Sequence, residues 1–189
     1  FESSMQLAGH EGFRIRQYDS ANKVSPSGTK NNYLPIQFVI PESARPAAIG
    51  LDLSSVDHWE DLLNKAQSQD APVASSVTTI KQREQNQTSI RIFYPVFDDE
   101  QRIKGFLTMV IELDQFVGYT VQGYGLSSIS TELYDLGQQS KTPIYTWSGQ
   151  QSNLTAVYIE SSRSRETIPF ADRQWLVMSA PTHRYLKSQ

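Results

Sequence analysis

The chain has 189 residues, 38% of them hydrophobic and 20% charged, the make-up of a globular protein able to bury one good core or two small ones. A net charge of −3 with no dense basic run excludes the electrostatic footprint of a nucleic-acid binder, and no run nears the roughly 18 consecutive apolar residues that span a membrane. Cysteine is absent, which excludes disulfides, thiol catalysis and thiolate metal sites and fits a bacterial periplasmic domain.

The sequence opens at Phe1 rather than Met and has no signal-peptide pattern, so it reads as a cut-out or mature fragment. Phe1 to His10 fits the tail of a helix that began earlier. Gly12–Tyr18 alternates apolar and polar residues and predicts a half-buried strand. Ser20–Asn32 collects Ser, Asn, Lys, Pro and Gly and predicts a loop. Two β-rich runs follow, Tyr33–Ile40 and Ala48–Leu53, split by a turn at Pro41–Pro46.

The clearest helix comes next. Val56, Trp59, Leu62, Leu63 and Ala66 share one stripe, while Glu60, Asp61, Lys65 and Gln67 face away. Ser54 and Asp57 have the spacing of a capping box, and Pro72 sets the end near Asp70. Strands are then predicted at Val73–Ile80, Ser89–Phe97 and Lys104–Leu113. The last is apolar on both faces, as expected of a central strand covered on two sides. A short helix near Leu113–Gly123 leads to further strands at Ser127–Leu136, Ile144–Trp147, Thr155–Ile159 and Trp175–Ala180. No βαβ alternation is present, so an α+β fold with antiparallel sheets is expected rather than a doubly wound one.

Motifs for catalysis are missing. His10, His58 and His183 lie far apart, with no second ligand at metal spacing, so no metal site is expected. There is no Gly-x-Ser-x-Gly elbow and no phosphate loop, and no cofactor is expected. Asp98-Asp-Glu100 is compact enough for calcium, but between two strands it reads more simply as a solvated hairpin loop. Asp52 is different, because it sits within the apolar run Ala48–Leu53, where a carboxylate costs several kcal/mol unless it is bonded. Two readings stand: Asp52 caps the Ser54–Asp57 turn, or it meets a ligand.

Five pieces resemble the CHASE domain in their order and spacing: Tyr33-Leu-Pro-Ile-Gln-Phe38, Ile49-Gly-Leu-Asp-Leu53, Trp59–Ala66, Phe93-Tyr-Pro-Val-Phe97 and Gly105–Phe116. The match is good over about Phe1 to Tyr119, and Trp175–Pro181 resembles the closing strand. That family is the extracytoplasmic sensor module of receptor kinases, cyclases and cyclic-di-nucleotide enzymes, including the plant cytokinin receptors. The resemblance implies two PAS-like lobes behind an N-terminal stalk helix, here residues 1–123 (membrane-distal and ligand-binding) and 124–189 (membrane-proximal). It implies no catalysis, a small and partly planar ligand, flanking transmembrane helices and a homodimeric receptor in a bacterial inner membrane.

In the cytokinin-binding members an aspartate at the Leu-Asp position accepts a hydrogen bond from the purine. Carried over, the ligand-binding residues are Asp52, the backbone of Ala74, and Tyr94, Phe106 and Thr108 as walls. Plant members have two glycines where Thr108 and Met109 stand, so the cavity here should be narrower than a cytokinin needs. Many bacterial members have an arginine before the Tyr-x-Pro segment, where this chain has Lys30-Asn-Asn32. The rival from another class is a secreted hydrolase or carbohydrate-binding domain using a carboxylate pair, for which the 11% aromatic content would suit sugar stacking.

Overall fold

The computed structural model describes residues 12–19, 23–44, 48–56, 58–82, 85–124, 129–138, 142–147 and 163–181, and the side chains of 79–87 are not described. The apolar stripe of the first helix decides where that helix goes. Helix α1 (Trp59–Gln69) buries Leu63 and Ala66 against Val73 and Phe93, with Leu34, Trp59, Leu62 and Phe106 packed around them. It ends where Pro72 requires, at Asp70, whose amide bonds the Ala66 and Gln67 carbonyls from a left-handed conformation. Its start differs from the expectation. The capping box does not open the helix, because Ser54 lies in a preceding 3-10 turn, Leu53–Ser55, and gives its amide to Asp52. Asp57 lies outside the described residues.

Strands β3 (Val73–Ala74) and β4 (Thr78–Gln82) both pair with one side of the long β5 (Gln85–Phe97), and β6 (Ile103–Glu112) pairs with the other. All pairings are antiparallel. The single strand expected at Val73–Ile80 is thus interrupted at Ser75–Val77. The β5–β6 hairpin turns at Asp98, which accepts the Glu100 and Arg102 amides and the Arg102 guanidinium, so the acidic cluster is a solvated turn.

Strand β6 corrects another expectation. It is an edge strand, with Leu107, Met109 and Val110 exposed, instead of a covered central one. An apolar run states what a strand could bury, not what the rest of the chain supplies to cover it.

The runs 33–40 and 48–53 form no regular strands. They touch through the isolated bridge Pro35–Asp52 and the amides of Ile36, Gly50 and Leu53. Pro35 has no N–H to continue a ladder. Gly50 bends the chain at φ +79°, and the Phe13 ring fills the space a Cβ would need. In the stretch read as a loop, β2 (Val24–Pro26) pairs with β1 (Arg16–Tyr18).

Helix α2 (Leu113–Gly123) joins the first sheet to a second, ordered β8 (Tyr145–Trp147), β7 (Ile129–Asp135), β10 (Arg173–Pro181), β9 (Ser164–Phe170). The polar, exposed β9 was not expected from its sequence. The strand expected at Thr155–Ile159 and the helical tail at Phe1–His10 lie outside the described residues. Ala74 and Ile90 from the first sheet, Leu113, Val117 and Val121 from α2, and Leu133 and Trp175 from the second sheet form one buried cluster. The fold is α+β with antiparallel sheets. The first sheet carries α1 on one face and packs α2 and the second sheet on the other.

Candidate functional site

Asp52 organises the segment leading into α1. Its side chain is fully buried, and every donor it needs is at hand. One oxygen accepts the Leu34 amide at 2.9 Å, the Ser54 amide at 3.1 Å and the Ser54 hydroxyl at 2.7 Å. The other meets Lys30 Nζ at 3.0 Å. Burial would raise its pKa, but the Leu34 amide, Ser54 and Lys30 outweigh that and hold the carboxyl below its ordinary value. The capping reading therefore describes what Asp52 does in this structure. It pins residues 30–34 to the turn before α1.

The face of the first sheet under α1 is set by the β5–β6 register, which places Arg91 opposite Val110, Phe93 opposite Thr108 and Pro95 opposite Phe106. Directly opposed residues share a face, so Phe106 and Thr108 lie together beneath α1. Phe106 packs on the cluster around Phe93 that also takes in Leu34, next in space to Asp52. The Thr108 hydroxyl oxygen is buried with no hydrogen-bond partner. A group of that kind is costly and uncommon in a folded interior.

Tyr94 does not join them. It follows Phe93 in the strand, so it points to the opposite face, where it is 46% exposed near Leu107. The backbone of Ala74 is also engaged elsewhere. Its N–H donates to Asp172 at 2.7 Å, and its carbonyl accepts from Arg173 Nε at 3.0 Å. Both residues belong to the β9–β10 hairpin of the second sheet. Of the five positions taken from the resemblance, the fold brings Asp52, Phe106 and Thr108 to the α1 side. It turns Tyr94 away and ties Ala74 to the second sheet.

Sequence reasoning missed Arg91, although a charge at an inward position of β5 was a visible signal. The Arg91 guanidinium carbon lies 4.7 Å from the centre of the Trp59 ring, and that ring meets Phe93 edge-on at 5.4 Å. The Arg91 amide donates to Ser75 Oγ and its carbonyl accepts the Ser75 amide, which fixes the backbone beneath it. Burial lowers its pKa, opposed only by the Tyr18 phenol. Among the described residues no carboxylate pairs with it. Tyr18 is itself placed by its amide bond to Ser55 Oγ.

Among the described residues no group of three potential metal ligands converges. His58 takes a left-handed backbone conformation at the start of α1, and His10 and His183 lie outside the described residues. An open groove of about 180 Å³ between α2 and β8 is lined by Asp114, Gln115, Gly118, Tyr119, Gln122 and Trp147, on the other side of the first sheet from Asp52.

The CHASE domain family matches residues 1–145. No curated protein matches the sequence. Among solved structures, the chain is similar to an extracellular ligand binding receptor from Desulfohalobium retbaense, with 17% identity and a TM-score of 0.50 over 77% of this chain and 28% of that one. It is also similar to the periplasmic sensory domain of the Campylobacter jejuni chemoreceptor Tlp1, with 12% identity and a TM-score of 0.45 over 72% and 58%. A third, titled methyl-accepting chemotaxis protein X, gives 15% identity and a TM-score of 0.41 over 87% and 61%. The chain thus spans less than two thirds of each of these proteins. With the family match covering most of its length, the chain belongs to the CHASE family of extracytoplasmic sensor domains.

Proposed function

We propose that this chain is the small-ligand sensor of a bacterial transmembrane receptor and lies in the periplasm, with the site on the α1 face of its first sheet. The observation that carries this reading is the buried Thr108 hydroxyl without a partner, set beside Phe106 and Phe93. An incoming polar atom would satisfy it, and the aromatic rings would hold a flat or apolar body. Asp52, bonded to Lys30, Leu34 and Ser54, keeps the wall of that site in place. Tyr94, on the far sheet face, and Ala74, tied to the second sheet, then serve outside the immediate site.

The rest of the proposal extends to the parent protein. Residues 1–123 form the ligand-binding lobe and 124–189 the membrane-proximal one. Transmembrane helices flank the pair, and the receptor works as a homodimer coupled to a cytoplasmic output domain. The reading as a hydrolase has no comparable support: Asp52, Asp98, Asp135 and Asp172 each belong to a separate ion pair, with Lys30, Arg102, Arg173 and Lys65.

Native mass spectrometry of the chain as purified tests the site. The expected result is a co-purified small molecule that Thr108→Trp expels while the protein remains folded by circular dichroism. A ligand retained by that variant would place the site elsewhere.

A further inference from the structure

We propose that Arg91 is the anchor for a carboxylate group, so that the ligand is a small carboxylic acid with an apolar or flat body. This rests on the site proposed above and names its ligand class. Arg91 is a charged side chain held partly out of water, with no carboxylate paired to it among the described residues. The contact the structure gives its guanidinium is the face of the Trp59 ring, which in turn meets Phe93. A folded protein tolerates a half-buried cation more readily when an anion arrives to pair with it.

The geometry also suits the task. The Trp59 ring, 4.7 Å from the guanidinium carbon, holds the head of the side chain in place. A guanidinium can grip a carboxylate with two parallel N–H bonds. The Ser75 bonds on both backbone groups of Arg91 add a rigid base. Access is present as well, because Val110, directly across the ladder on the same face, is 52% exposed. Thr108 stands one diagonal step from Arg91 on that face, within the roughly 7–8 Å that such neighbours span. A carboxylate on Arg91 would therefore place a ligand's second polar atom near the unpartnered hydroxyl and its apolar part against Phe93 and Phe106.

The simpler role for Arg91 is a cation–π brace for Trp59, and the test separates the two. The probes are three acids, acetate, pyruvate and indole-3-acetate, each paired with its neutral amide. Binding to the full chain is measured by calorimetry at pH 7. At least one acid should bind, its amide at least tenfold more weakly. Arg91→Gln should abolish that binding, and Arg91→Lys should keep part of it, with both variants cooperatively folded. The proposal is overturned if no acid binds, if an acid and its amide bind alike, or if Arg91→Gln leaves affinity unchanged and only lowers the melting temperature. A neutral ligand that co-purifies with the chain and is expelled by Thr108→Trp would overturn the carboxylate class while leaving the sensor site standing.

Discussion

Asp52 shows how one residue's chemistry is readable while its partner is not. The sequence places a carboxylate in an apolar run, and physics requires that it be satisfied. Four donors satisfy it, from Lys30, Leu34 and Ser54, and two of those residues lie about twenty positions upstream, where spacing gives no sign of them. Asp52→Asn removes the ion pair and sets the side-chain NH2 against the Lys30 ammonium. It should destabilise the chain by about 1–3 kcal/mol, read as a lower denaturation midpoint at unchanged slope. An unchanged midpoint would mean that the Lys30 pair contributes nothing.

The pH dependence has a definite sign. Asp52 and Asp172 both have folded-state pKa values lowered relative to their ordinary ones: burial opposes the shift in each, while backbone and side-chain hydrogen bonds and lysine partners produce it. Their contribution is complete above the unfolded value of about 3.9 and is lost as pH falls through the lower folded values. Melting temperature should therefore drop below about pH 4. In the double variant Asp52→Asn, Asp172→Asn that acid-side slope should flatten. An equal slope in both proteins would assign acid sensitivity to other groups.

At the scale of elements, the helices were the most legible part. The stripe Leu62, Leu63 and Ala66 with the Pro72 stop yields α1 at Trp59–Gln69, and the short α2 falls at Leu113–Gly123 as expected. The losses have physical reasons. The runs at 33–40 and 48–53 carry β-forming residues, but Pro35 and Gly50 prevent a ladder. Strand β6 reads as central because its residues are apolar, yet partners are a property of the whole fold. Alternation was available to separate Tyr94 from Phe106 and Thr108, but only with the β5–β6 register in hand. Within α1, Leu63 is 5% exposed and Leu62 only partly buried. Leu63→Ala should cost about 2–5 kcal/mol and Leu62→Ala less. Chemical denaturation of the two variants checks the order, and a larger loss for Leu62 would reverse the assigned packing.

Across the whole molecule, the two sheets are fastened where sequence gave no hint. Asp172 and Arg173 sit at the β9–β10 turn and reach back to Ala74, Lys65 and Asp135. Arg173 meets Asp135 at 2.5 Å in a setting where Asp135 is only 4% exposed. Removing one partner of such a pair strands the other in the interior, so Arg173→Leu should cost about 3–5 kcal/mol. Asp172 is a milder clamp, because Lys65 is 47% exposed and water screens much of that pair. Its value lies in the Ala74 amide, which no strand partner takes. Strand β3 lies directly beneath α1, so this clamp joins the proposed ligand face to the second sheet. If a bound ligand shifts α1, Ala74 is one point at which the second sheet would feel it, as a change in population between clamped and unclamped arrangements. Asp172→Ala should speed hydrogen exchange at the Ala74 amide several-fold while leaving the amides of β7 protected by β10. Uniformly faster exchange across both sheets would show that the clamp supports the fold as a whole, and unchanged exchange at Ala74 would show that Asp172 does not hold it in solution.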